Sequence, residues 1–397
     1  MTISILSTRA GMPATNRSER IHEVVQRALD ERRLVGAVVL VVEDGEVIHR
    51  QAAGFADREL GRPMTVETVF RLASVSKPIV STAAMVLVEQ GRLDLDAAID
   101  RWLPEFRPRL ADGRVGRITA RQLLSHTAGL GYRFLEADAQ GPYARAGVSD
   151  GMDAAAIDLT ENLRRIAAVP LLYEPGTAWG YSLATDVLGA LIARVQDEPL
   201  DVAVRRLVTE PLGMTETGFV ASDPDRVATA YVDDGPEPHR LREGEIVSPF
   251  EGAIGIRYSP TRIFDANAFP SGGAGMAGTA GDFLRLLETL RQGGHPLLSA
   301  ERVDEMSLDQ SGGYELPDAP GFGFGLGFSV LRDRSRAASP ESNGTWRWGG
   351  AYGHSWFVDR ARRLSVVALT NTLYEGMSGR FVTELRDAVY SAQEAAR

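Results

Sequence analysis

The stretch Arg71-Leu72-Ala73-Ser74-Val75-Ser76-Lys77-Pro78 carries residue types whose spacing suggests chemistry. Lys77 is the only lysine in the 397 residues, and the other members of the Lys+Arg class are all arginines. Arginine stays protonated in proteins, whereas a lysine can release its proton where the surroundings disfavour charge, so Lys77 alone could serve as an amine base. Ser74 stands three residues before it, and positions i and i+3 share one face of a helix. A serine hydroxyl is a weak nucleophile until a nearby base takes its proton. The pair therefore points to acyl transfer through Ser74. The plainer alternative is a buried helix with a capping serine and a chance lysine.

The element that must position this pair is legible. Val75, Ile79, Val80, Ala83, Ala84, Met85, Leu87 and Val88 make the segment apolar almost all round, as in a helix buried between two layers. Gln90-Gly91 supplies its stop, with glycine where a left-handed cap is wanted. The reading predicts a nucleophile helix over 74–90. Pro78 is tolerated only near a helix start, which puts Ser74 and Lys77 in the first turn. There the helix dipole favours an alkoxide or oxyanion. Proline disfavours the α region for the residue before it, Lys77, and the motif is taken to outweigh that bias.

Further candidates lie far along the chain. Tyr181 follows the turn signal Glu174-Pro175-Gly176 and stands at the mouth of a helix, where a phenol could relay a proton. Arg347-Trp348-Gly349-Gly350-Ala351-Tyr352-Gly353 is a glycine-rich strand connection whose backbone N–H groups could aim at an oxyanion. A rival serine, Ser149, sits in Gly147-Val148-Ser149-Asp150-Gly151, which matches the G-x-S-x-G nucleophile elbow. That elbow needs a buried strand before it, and the polar, glycine-broken segment 137–146 is no strand. The six histidines make no metal-binding pair. Of these, His126 reads as structural, and His354, which follows the glycine strand, could reach the cleft but is not favoured as a site residue. Ser125 and Ser271 are loop serines without a base beside them.

Composition narrows the class. The net charge of -10 argues against nucleic acid and anionic membranes as partners. Zero cysteines exclude disulfides, thiolate metal sites and a cysteine nucleophile. No apolar run has signal-peptide or membrane-spanning length, so a cytoplasmic protein is expected. Oligomeric state is left between monomer and homodimer.

The order of elements suggests an α/β (α+β) fold. Residues 1–16 read as a loose leader and 17–33 as a helix. Residues 35–42 and 47–55 read as strands around an Asp44-Gly45 turn. Residues 92–310 are mostly helical patches and loops. Residues 119–132 read as a short helix, with Thr119 and Gln122 at capping-box spacing, running into a glycine-broken loop, and further helices are expected at 162–168, 184–195 and 281–292. Residues 218–275, rich in Asp, Pro and Gly, read as mostly irregular. Phe322, Phe324, Leu326 and Phe328 alternate with glycines, giving a strand with one bare face. Strands follow at 346–348, 355–358 and 364–370, then a helix over 381–395. The expected organisation is an antiparallel sheet flanked by helices, a discontinuous domain from 1–70 and 310–397. The remainder, 71–309, is an inserted, mainly helical domain with the pocket loops.

Taken together, Ser74-x-x-Lys77, Tyr181-Ser182-Leu183 and Trp348-Gly349-Gly350 resemble the three motifs of the serine β-lactamase and penicillin-binding (DD-peptidase) superfamily. Trp102 to Pro108, Leu124 to Leu130 and Trp348 to Asp359 resemble its family VIII carboxylesterases more closely, over roughly residues 18–392. The resemblance implies a serine β-lactamase/DD-peptidase-like fold and no metal or organic cofactor. It implies Ser74 as acylated nucleophile and Lys77 with Tyr181 as base. It implies an oxyanion hole from the N–H groups of Ser74 and Ala351, the latter on the strand after the two glycines. Trp348, Gly349 and Gly350 would border the substrate, with Tyr132 on the opposite wall. The G-x-S-x-G would be a bystander. Trp348 stands where penicillin-recognising enzymes carry a lysine, and Leu183 where many β-lactamases carry asparagine, so polar recognition of a β-lactam is weakened. Arg347 is expected to face away from Trp348. The expected activity is hydrolysis of a small-molecule ester, compact or short-chain, through an acyl-enzyme. Transfer to an alcohol, β-lactamase or peptidase activity, and a sensor that acylates without turnover are the alternatives.

Overall fold

The computed structural model describes residues 14–221 and 223–391. Helix α1 (Ala14–Asp30) leads into strands β1 (Gly36–Glu43) and β2 (Glu46–Asp57). The turn between the strands has φ of 56° at Asp44 and 83° at Gly45, the left-handed pair that a tight hairpin needs. The expected leader thus ends by residue 13: residues 14–16 already belong to α1, and 1–13 lie outside the described residues.

Helix α2 (Ser76–Glu89) is buried at every residue from Ser76 to Val88. It ends at Gly91, whose φ is 66°, with the Gly91 and Arg92 N–H groups returning to the carbonyls of Val88 and Leu87. The predicted nucleophile helix over 74–90 needs correction at its start. Ser74 lies in a 3-10 turn, Ala73–Val75, and α2 begins only at Ser76. The reason is Pro78, which has no N–H to return to the Ser74 carbonyl, so that turn cannot close as α. Lys77 is helical despite preceding proline.

The central segment carries α3 (Ala120–Leu124), α4 (Leu159–Ala168), α5 (Ala184–Gln196), α6 (Ala280–Arg291) and α7 (Ala300–Ser307). The Thr119–Gln122 capping box is formed in both directions. Helix α7 was not read from the sequence. Residues 218–275 are mostly irregular and hold two short ribbons, Tyr231–Val232 with His239–Arg240 and Ile246–Val247 with Ile256–Arg257.

Strands β3 (Phe322–Phe324), β4 (Ser329–Leu331), β5 (Trp346–Gly350), β6 (His354–Asp359) and β7 (Leu364–Thr370) precede the closing helix α8 (Arg380–Tyr390). The glycine-alternating segment is therefore one short strand, β3, and the reversal that leads into β4, rather than a single continuous strand. Its bare side is used by the protein's own packing. A Cβ at Gly325 would lie 2.2 Å from the Met306 carbonyl oxygen, and one at Gly327 would lie 2.5 Å from Ser81 Cβ on α2. Residues 392–397, where the expected last helix ran on, lie outside the described residues.

An eight-stranded antiparallel sheet takes the order β3-β4-β5-β6-β7-β1-β2, with the two-residue strand Arg62–Pro63 at its edge. The two ends of the chain meet in its middle, where β7 pairs with β1 from Ala37 opposite Thr370 to Glu43 opposite Leu364. Alternation along β1 sorts its side chains. Ala37, Val39 and Val41 join Ile21, Val25 and Leu385 of α1 and α8 in one core. Val38, Leu40 and Val42 join the larger core that contains α2 and α6. Among the described residues no helix is long and apolar enough to cross a membrane.

Candidate active site

Ser74 is presented at a junction of strand, turn and helix. The two-residue strand Phe70–Arg71 before it pairs with Ala277–Gly278. Arg71 is tied down by its side chain, which donates to the carbonyls of Ala228 and Pro260. Its own carbonyl accepts from His354 Nε2 at 2.8 Å. His354 is fully buried, and burial pushes its imidazole down to about 4, so it is neutral at pH 7. It braces the segment before Ser74 from β6 and does not reach the cavity.

The three residues the sequence singled out converge. Ser74 Oγ and Tyr181 Oη lie 2.6 Å apart. Lys77 Nζ donates to Ser74 Oγ at 3.1 Å and to the Gly273 carbonyl at 2.8 Å. The Lys77 side chain is buried, its Nζ 4.7 Å from the centroid of the Tyr181 ring and 5.5 Å from that of Tyr132. Tyr181 stands just before α5 and is wedged between aromatic neighbours, with ring centroids 5.0 Å from His126, 5.1 Å from Tyr132 and 5.2 Å from Trp348. His126 is buried and bonded through Nδ1 to Ser182 Oγ at 3.2 Å. Burial first, and then the charge of Lys77, hold its imidazole well below its usual range. It serves as a neutral packing partner for Tyr181.

A cavity of about 1010 Å³ opens over Ser74. Its walls include Tyr132, Tyr181, Trp348, Gly349 and Ala351, five of the expected positions. Gly350 is a correction. It is buried and absent from the wall, and a Cβ there would lie 2.5 Å from the Leu72 carbonyl oxygen. Its work is to let the end of β5 press against the segment that carries Ser74, which brings Ala351 alongside. Ala351 itself lies in the turn after β5, not on the strand. Arg347 does not turn fully away from the cavity. It borders it near Phe322, with its guanidinium 3.1 Å from the buried Glu341 carboxylate.

Ser149 is fully engaged elsewhere. Its Oγ donates to Asp153 at 2.5 Å and accepts from the Gly151 N–H, while Asn162 bonds both backbone groups of Ser149. The neighbouring Asp150 does border the cavity. Burial pushes its carboxyl up to about 8, against the opposing pull of Arg133.

Several residues of the site were not read from the sequence. The Gly273 carbonyl is a backbone atom, which no side-chain motif announces. Phe134, Met152, Trp179, Phe250, Leu316, Tyr374 and Met377 complete a mostly apolar wall, contributed by separate loops.

Comparison with known proteins identifies the family of the chain. Residues 21–391 match the model of the Beta-lactamase family. The chain belongs to that family. The chain is an enzyme, a serine hydrolase. It is 51% identical to Esterase EstB of Burkholderia gladioli over 390 residues, 98% of this chain and 99% of that protein. Among solved structures it resembles EstCE1, described as a hydrolase with promiscuous acyltransferase activity, with a TM-score of 0.94 and 48% identity over 96% of this chain and 100% of that one. Unliganded simvastatin synthase LovD from Aspergillus terreus shares the fold, with a TM-score of 0.74 at 21% identity over 96% and 99% of the two chains.

Proposed function

We propose that this serine hydrolase is a carboxylesterase that forms an acyl-enzyme on Ser74. The observation that carries the reading is the triangle of Ser74 Oγ, Tyr181 Oη and Lys77 Nζ, with contacts of 2.6 and 3.1 Å, opening into an apolar cavity. Ser74 Oγ attacks the ester carbonyl and passes its proton to the Lys77–Tyr181 pair. The charge that develops on the carbonyl oxygen is taken by the N–H groups of Ser74 and Ala351. The pair returns the proton to the departing alkoxide, and the alcohol leaves. Water, activated by the same pair, then attacks the acyl-serine and frees the acid.

The likeness to an esterase at 51% identity supports ester substrates. At about 1010 Å³ the cavity sits at the upper end of the usual range for ligand pockets, roughly 300–1000 Å³. A short-chain ester fills part of it, and the aromatic and aliphatic wall leaves room for a larger apolar group. That room, and the acyltransferase activity of a structural relative at 48% identity, favour an alcohol as a second acyl acceptor beside water. Trp348 occupies the wall where a β-lactam carboxylate would call for a cation, so β-lactams are proposed as poor substrates. A cytoplasmic location is proposed from the sequence alone and is checked by cell fractionation.

Initial rates on a p-nitrophenyl ester series and on a chromogenic cephalosporin test this reading, with Ser74→Ala as control. Fast ester turnover, slow cephalosporin turnover and loss of both in the control are expected. Preference for the cephalosporin would make the enzyme a β-lactamase. A burst that stalls after one equivalent would make it a sensor.

A further inference from the structure

The glycine-rich segment Ser271-Gly272-Gly273-Ala274-Gly275 has no part in the mechanism above except through one carbonyl, and its sequence is unusual enough to ask why. The segment is a tight turn, with the N–H groups of Ala274 and Gly275 both returning to the Ser271 carbonyl. It is pressed onto the start of α5. A Cβ at Gly272 would lie 2.6 Å from the Thr185 carbonyl oxygen, and one at Gly273 would lie 2.6 Å from Asp186 Oδ2.

Two anchors hold the turn. On its far side the Leu72 N–H donates to the Met276 carbonyl at 2.8 Å, and the Met276 N–H donates to Ser76 Oγ at 3.2 Å. These stitch the segment to the residues around Ser74. On its near side Ser271 Oγ donates to Asp186 Oδ1 at 2.6 Å. Both partners of that bond are completely buried. Between the anchors the Gly273 carbonyl accepts from Lys77 Nζ. The G-x-S-x-G segment also contributes, for Gly151 has φ of 80° and a Cβ on it would lie 2.1 Å from Ser271 Oγ. Glycine there leaves the hydroxyl free to reach Asp186.

We propose that Ser271 and Asp186 are positioning residues for Lys77: their buried hydrogen bond fixes the 271–275 turn so that the Gly273 carbonyl holds the lysine against Ser74. The proposal rests on the Ser74–Lys77–Tyr181 reading. Neither residue borders the substrate cavity, so both act through the turn. Burying a carboxyl is costly, and burial does push the Asp186 carboxyl up, against the opposing pulls of the Ser271 hydroxyl, the Lys77 charge and the Gly273 N–H. The bond to Ser271 and the seat it makes for Gly273 account for keeping it there.

The test compares Ser271→Ala with the full-length wild-type enzyme on a p-nitrophenyl ester, with Asp186→Asn as the near-isosteric variant should Ser271→Ala fail to fold. Circular dichroism establishes that each is folded. Loosening the seat displaces the base, so kcat should fall about 10- to 100-fold with KM within about twofold. A folded variant with wild-type kcat overturns the proposal. So does one whose KM rises as much as its kcat falls, since that is damage to the site as a whole. Turnover surviving in Ser74→Ala would instead overturn the underlying site reading.

Discussion

Lys77 has two acceptors, Ser74 Oγ and the Gly273 carbonyl, and is buried at 1% exposure. A guanidinium is larger and stays protonated, so Lys77→Arg should be nearly as damaging as Lys77→Ala, with kcat down about 10²- to 10⁴-fold in both. Steady-state rates check this, and substantial activity in the arginine variant would remove Lys77 from the mechanism. Asp150 gives a second prediction at this scale. Its carboxyl is raised to about 8 from a usual value of 3.8, so the folded protein binds a proton that the unfolded chain has released. Its stabilising effect is fully present below the unfolded value and is lost as pH rises through the folded one. Between those values stability should fall by up to about 1.4 kcal/mol per pH unit from this group. Asp150→Asn should therefore flatten the decline of Tm between pH 5 and pH 8, and an unchanged slope would assign the decline to other groups. At the level of single residues the sequence was most informative where chemistry dictates residue type. A lone lysine three residues after a serine is such a case. The Gly273 carbonyl, 196 residues from Lys77, was invisible because any residue supplies a carbonyl.

Among the elements, those with strong periodicity or an unambiguous turn were read correctly: α2 by its apolar surface, the β1–β2 hairpin by Asp44-Gly45, and α3 by its capping box. The failures have physical causes. Pro78 delays the α-helical start past Ser74, and the phenylalanine–glycine alternation of 321–328 does not reveal a reversal between Phe324 and Ser329. That reversal is where Gly327 meets α2, with φ of 111° and no room for a Cβ beside Ser81. Gly327→Ala should cost about 2–5 kcal/mol from backbone strain and overpacking together. Chemical denaturation measures it, and a cost within 0.5 kcal/mol, roughly the spread of neutral surface changes, would show that the hairpin shifts freely.

For the molecule as a whole, the sheet divides the labour. One face carries α1 and α8 over a core of its own, while the other packs on the core that contains α2. The meeting of the two chain ends in one sheet was inferable from a hairpin near the start and strands near the end. The pocket wall was not, because loops from five or more separate regions build it and loop packing leaves no periodic trace. The division predicts that damage to the outer core spares the chemistry. Ile21 is fully buried there, so Ile21→Ala should lower stability by about 2–5 kcal/mol. Turnover per folded molecule should stay at the wild-type value below the melting transition. A large fall in kcat would show that the outer layer governs the site.

The central claim, that Ser74 is the acylated nucleophile, is tested most directly by quenching the enzyme with acid during p-nitrophenyl acetate turnover and locating the acetyl group by peptide mass spectrometry. The account predicts acetylation of Ser74, absent from the Ser74→Ala variant along with turnover. Acetyl on Ser149, or turnover that survives in Ser74→Ala, would contradict it.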